Sequence, residues 1–217
     1  MYLVKQNPML ITLTGPSGTG KSAVISALLS QDPALRRFVT ATTRTPRPGE
    51  EHGKDYYYLS RDEFEAGVAK GDFIEHNPSY NGNMYGTQRS EIERLFGEGF
   101  DVISDINAIG VRLFEQAMPQ RLFKLLILPP NRERLEQRLT KRNPALADEG
   151  RTRLQQIEAD LDSLHNPSYV FTNPDMVGTT YSDYDVVLVN DVLEHTVAEV
   201  AKVITNERNR RAQSGAQ

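Results

Sequence analysis

The chain has 217 residues, 38% of them hydrophobic and 25% charged, with a formal net charge of −4 and no cysteine. That length allows one well-buried core, with room for a second unit only as a small insertion; the missing cysteines exclude disulfides and thiolate metal sites, and the acid excess gives no general attraction to nucleic acid. No apolar run reaches the roughly eighteen residues of a membrane span, and Met1 to Pro8 carry one lysine and no signal-like stretch, so a cytoplasmic protein without membrane or nucleic-acid partners is expected.

In chain order, Leu10 to Thr14 is rich in β-branched residues and runs straight into glycines, which predicts a buried strand entering a tight loop, with a helix starting near Lys21. From about Thr40 to Tyr85 the chain is dense in Tyr, Gly, Pro and Arg, and Ser60-x-x-Glu63 has the spacing of a helix capping box. This stretch reads as an inserted substrate-binding subdomain. Val102–Ile106, Leu122–Leu128 and Val186–Val189 read as further buried strands, each followed by helical spacing. Strands alternating with helices predict an α/β fold with a parallel sheet flanked by helices. Asn143 to Gly150, between two Arg-rich helical stretches, has the Pro and Gly of a hinged lid. Asn166 to Asp185 reads as a long loop, and the tail from Asn206 as frayed.

Gly15, Pro16, Ser17, Gly18, Thr19, Gly20, Lys21 and Ser22 spell GPSGTGKS, a match to G-x-x-x-x-G-K-[ST] between a predicted strand and a predicted helix. Glycines permit backbone angles that turn consecutive amides inward around phosphate oxygens at a helix N-terminus. Lys21 would bridge the β- and γ-phosphates of ATP, and Ser22 would place its hydroxyl on Mg²⁺. The motif identifies nucleoside triphosphate binding and leaves the phosphate acceptor open.

The acceptor is addressed by Thr42 to Tyr56, TTRTPRPGEEHGKDY. Arg44 and Arg47 lie on a loop stiffened by Pro46 and Pro48, where two guanidinium forks can clamp a dianionic phosphate, and Tyr56 and Tyr85 can add hydroxyl donors. Glu75, after an apolar pair, is a carboxylate able to accept the ring N–H and exocyclic amine of guanine. With FIE at 73–75, GNMYGT at 82–87 and the Arg-rich segment Leu135–Arg153, these blocks resemble the guanylate kinase family from about Leu10 to Asp191. The resemblance implies a P-loop core of residues 9–40, 88–141 and 154–205, a GMP-binding insert at 41–87, a mobile lid at 142–153 and a tail at 206–217. It implies that Arg44, Arg47, Tyr56 and Tyr85 hold the acceptor's monophosphate, that Thr87 and Thr40 serve the guanine carbonyl, and that Arg142 and Arg153, with Arg47, surround the transferred group. Arg138 belongs to the same lid set, and Asn190 resembles the residue on the adenine side.

Where the family shows LDID-x-QG, residues 104–110 read SDINAIG. Asp105 is retained for the magnesium site, whereas Asn107 stands in place of a second acid and would read the guanine amine without charge. Between Glu75 and GNMYGT the chain is one residue longer than close relatives. No Ser-His-Asp or Cys-His arrangement is apparent, and none is needed where an ionised acceptor attacks directly; His76 and His165 read as ordinary polar residues. The expected reaction is ATP-dependent phosphorylation of GMP, and of dGMP. Two alternatives stand beside it: a guanylate-kinase-like module that binds phosphorylated ligands, and a kinase of another phosphorylated metabolite. Whether the chain is a monomer or a homo-oligomer is left open.

Overall fold

A computed structural model of the protein describes residues 7–78, 82–142, 170–171, 176 and 178–214. The first strand, β1 (Leu10–Thr14), is buried along its whole length and lies at the centre of a five-stranded sheet. Its neighbours are β7 (Asp101–Asp105) and β8 (Leu122–Leu128), both parallel, with Ile11 level with Ile103 on one side and Phe123 on the other. The edges are β2 (Leu35–Arg36), beside β7, and β9 (Val186–Val189), beside β8. All four pairings are parallel, as strands covered by helices on both faces require.

Alternation along β1 decides which layer each side chain joins. Ile11 and Leu13 pack with Val24, Ile25 and Leu28 of α1 (Lys21–Gln31) and with Val197, Val200 and Ile204 of the C-terminal helix. Leu10 faces the other way, toward Ile92 and Leu95 of α3 (Arg89–Gly97) and Phe114 of α4 (Ala108–Ala117). The result is a three-layer sandwich whose strands all point the first turn of α1 and the start of α4 to the same end of the sheet.

A second, four-stranded sheet is built from residues 41–88 in the order β4 (Tyr57–Tyr58), β3 (Ala41–Thr42), β6 (Met84–Gln88), β5 (Phe73–Pro78). It is mixed: β3 and β4 run parallel, while β6 is antiparallel to both its neighbours. Helix α2 (Arg61–Lys70) covers it, starting at the capping box of Ser60 and Glu63, and Phe64 stacks on Phe73 with ring centres 4.3 Å apart.

The expectation of a frayed tail is overturned. Helix α6 runs from Leu193 to Ser214, after α5 (Arg132–Arg142), because its end carries polar anchors as well as an apolar stripe. Arg208 reaches Asp101 at 2.7 Å and Asp32 at 2.6 Å, and Arg211 donates to the carbonyls of Gln120 and Leu122. Residues 143–153 of the proposed lid, nine of the twenty residues of the segment 166–185 and residues 79–81 at the one-residue insertion lie outside the described residues.

Candidate active site

The loop after β1 carries the phosphate-binding motif onto the start of α1. Gly15 has φ +145° and a Cβ there would stand 2.0 Å from the Ile127 carbonyl oxygen, so the loop's entry needs both the backbone angle and the missing side chain. Gly20 caps α1 in the left-handed region. Lys21 folds over the loop and donates to the carbonyls of Gly15 and Pro16, the latter at 3.0 Å. Its ammonium thus lies over the loop at the N-terminus of α1, the end of a helix that favours an anion. Ser22 Oγ donates to Asp105 Oδ2 at 3.2 Å. A hydroxyl and a carboxylate at the mouth of a phosphate loop are hard oxygen donors, and they fit a magnesium ion that completes its shell with water and phosphate oxygens.

Asn190 is placed differently from the expectation. It is 3% exposed, its amide nitrogen donates to the Thr19 carbonyl at 2.7 Å, and its oxygen accepts from Thr196 Oγ1 at 2.9 Å. With both polar ends engaged in the interior, it braces the loop from behind and does not present itself to a nucleotide base. Arg138 comes closer to the cradle: it donates to the Asp191 carbonyl at 3.0 Å and approaches the Thr19 carbonyl. The side chain of Arg142 and all of Arg153 lie outside the described residues.

Between the two sheets lies a cavity of about 580 Å³, lined by Thr40, Tyr56, Glu75, Thr87, Asp105 and Asn107 among others. Glu75 and Thr87 face each other across the β5–β6 pair, and the Thr87 hydroxyl donates to Glu75 Oε1 at 2.7 Å. Burial pushes the Glu75 carboxyl above its usual range, partly offset by the Thr87 hydroxyl and by His76. Such a carboxylate, short of solvent, is an acceptor waiting for donors. The Asn107 oxygen already accepts the Gly110 amide at 2.8 Å as N-cap of α4. One lone pair of this oxygen is thereby committed to a helix start, which needs a side-chain acceptor, and the other is left for a ligand's amine.

Near the cavity's outer end the arginine loop folds into a cluster. Glu50 accepts from Arg44 Nη2 at 2.9 Å, from the Arg47 amide at 2.7 Å and from the Tyr58 hydroxyl at 2.7 Å. These contacts, Arg44 first, hold the Glu50 carboxyl down at about 2, and the Tyr58 hydroxyl, partly desolvated and bonded to Glu50, is pushed up to about 12. Arg44 also sits over the rings of Tyr56 and Tyr58 at 5.3 and 5.8 Å, and Tyr56 meets Tyr85 edge-on at 5.9 Å. Behind it Thr42 Oγ1 accepts the Arg44 amide and donates to the Met84 carbonyl, which ties the loop to β6. Arg47 is exposed.

Sequence reasoning overlooked Arg37, Glu50 in its orienting role, Tyr58 and Glu91. Glu50 offered a signal, an acid three places after Arg47 in a Pro-Gly turn. Arg37 offered none, its partner being 68 residues away, and Glu91 offered only the i, i+3 spacing to Arg94, its other partners lying 52 and 34 residues away.

The guanylate kinase family model matches residues 7–207. The guanylate kinase of Alkalilimnicola ehrlichii is 39% identical over 204 residues, covering 93% of this chain and 90% of that protein. The human guanylate kinase is 34% identical over 210 residues, covering 96% and 98%. Among solved structures, guanylate kinase from Anaplasma phagocytophilum superposes with a TM-score of 0.61 at 27% identity, over 94% of this chain and 88% of that one.

Proposed function

Because the chain belongs to the guanylate kinase family, we propose that it transfers the terminal phosphoryl group of ATP to GMP, and to dGMP, by in-line displacement in the cytoplasm. The observation that carries this reading is the position of Asp105: it touches Ser22 of the phosphate loop and lines the cavity that holds Glu75 and Thr87. Donor and acceptor half-sites therefore share one wall.

In the proposed complex Glu75 accepts the guanine N1–H and exocyclic amine, and the Thr87 hydroxyl, which can rotate, turns from Glu75 to the guanine carbonyl oxygen; Thr40 stands on the same cavity wall. Arg44, Arg47, Tyr56 and Tyr85 hold the monophosphate, with Arg44 aimed by Glu50. Lys21 leaves the loop carbonyls for the β- and γ-phosphates. Magnesium, held through Ser22 and Asp105, would neutralise charge on the phosphate oxygens. The acceptor phosphate is ionised near neutral pH and attacks without a base. Catalysis then rests on alignment and on positive charge around the moving group, which Arg47 supplies together with Arg142 and Arg153. Asn107 caps the helix beside the base, and the second lone pair of its oxygen accepts from the guanine amine.

An ADP-release assay with ATP and magnesium, offering GMP, dGMP, AMP, CMP and UMP separately, tests the proposal. Turnover is expected with GMP and dGMP alone. Lys21→Ala is expected to lower transfer by about 10² to 10³ or more while GMP binding, measured by calorimetry, is retained. Turnover with another base, or near-normal turnover by Lys21→Ala, overturns the corresponding assignment.

A further inference from the structure

Asp105 divides its two carboxylate oxygens between the half-sites. Oδ2 accepts from Ser22 Oγ on the phosphate-loop side at 3.2 Å, and Oδ1 accepts from Arg37 Nη2 at 2.5 Å. Arg37 follows the short strand β2 and lines the same cavity as Thr40, Tyr56 and Glu75. Its side chain is 49% exposed and that of Asp105 26%. An ion pair this open to water is weak and exchanges readily. A divalent cation is the stronger partner for a carboxylate, being the largest local charge in such a site, and two cations at one carboxylate repel each other.

Resting on the reading above, in which Ser22 and Asp105 face the magnesium nucleotide and the cavity faces the acceptor, we propose that Arg37 is a reserve cation for the acceptor's phosphate. While the donor side is empty, Asp105 holds Arg37. Once Asp105 is engaged by the cation of the incoming nucleotide complex, Arg37 is released and turns into the cavity, where the acceptor carries its negative charge. The exchange makes donor binding a signal to the acceptor side: GMP binds more tightly when the donor is in place, and by linkage the donor binds more tightly by the same factor when GMP is in place. An acceptor phosphate thereby gains its last positive partner only when there is a phosphoryl group to receive.

Calorimetric titration of GMP into the full chain, with and without the magnesium complex of a non-hydrolysable ATP analogue, measures this coupling without turnover. The wild type is expected to bind GMP roughly five- to tenfold more tightly with the complex present. Arg37→Met is expected to bring that ratio close to one. Asp105→Asn, which removes the charge that holds Arg37, is expected to raise GMP affinity in the absence of any cation to the loaded wild-type level, and adding Arg37→Met to it is expected to cancel the gain. A purely structural role for either residue does not predict this reversal. A ratio in Arg37→Met equal to that of the wild type, or no rise in cation-free affinity for Asp105→Asn, overturns the inference, as does a ratio of one in a wild type that binds GMP. A wild type that binds no GMP under either condition overturns the acceptor assignment, and this inference with it.

Discussion

Glu75 and Glu50 are both acids in the acceptor site, and their surroundings move them in opposite directions. Glu75 is raised, chiefly by burial, so the protonated form is favoured by folding; its contribution to stability is fully present below the unfolded carboxylate value of about 4.3 and is lost as pH rises through the higher folded value. Glu75→Gln is therefore expected to melt higher than the wild type at pH 7 to 8, with the gap closing near pH 4, in scanning calorimetry across pH. The same change is expected to weaken GMP binding about tenfold or more, because a neutral amide replaces a charged acceptor, and the wild-type KM for GMP should rise as pH falls through the raised value. Glu50 is held at about 2 by Arg44, the Arg47 amide and Tyr58; its contribution is present above the unfolded value and lost only as pH falls toward 2. Glu50→Gln is expected to raise the KM for GMP about tenfold with a smaller change in kcat, since an arginine fork that is no longer aimed loses much of its bidentate advantage. Steady-state kinetics on the variant measures both.

At the scale of elements, the C-terminal helix is the least expected piece. Amphipathic spacing alone leaves its last turns without a reason to persist, but Arg208 spans from α6 to Asp101 at the start of β7 and to Asp32 after α1. Asp101 is 1% exposed and also accepts the Met9 amide at 3.0 Å, so it ties the entries of β1 and β7 together. Removing one partner of such a pair leaves a buried charge uncompensated. Arg208→Ala is expected to cost about 3 kcal/mol of stability, read as a lower midpoint in urea unfolding with unchanged m-value. The acceptor kinetics should be unaffected at temperatures where the variant stays folded, because none of these contacts reaches the cavity.

At the scale of the whole molecule, the described residues form two sheets joined where the chain crosses between them, and Glu91 sits at that junction. Its carboxylate, 3% exposed, accepts from the Val39 amide on the outward crossing at 3.2 Å and from the Tyr57 hydroxyl of β4 at 2.9 Å, and it pairs with Arg94 on its own helix. Helix α3 itself begins at Arg89, directly after β6, which is the return crossing. One buried acid thus fastens both crossings to the core. Glu91→Ala is expected to lower stability by about 2 to 3 kcal/mol, the cost of leaving buried donors unmet, and to raise the KM for GMP while that for ATP stays near the wild-type value. Equal effects on both substrates would show that Glu91 supports the core generally and does not set the relation of the two sheets.

Much of this was legible in the residues themselves. The phosphate loop, the buried strands at its side, the capping box and the pairing of arginines with prolines are local signals, written within a few positions of one another, and they determined the P-loop α/β fold and the kind of ligand it serves. The tertiary structure alone decided which oxygen meets which donor. Asn190 turned inward to brace Thr19, Asn107 took up the start of a helix, Arg208 held a tail that local propensity would release, and Arg37 reached Asp105 across 68 positions. Those outcomes depend on partners brought together by the parallel sheet, whose crossovers place distant segments side by side. A pattern read along the chain reports period and composition, and carries no record of such distances.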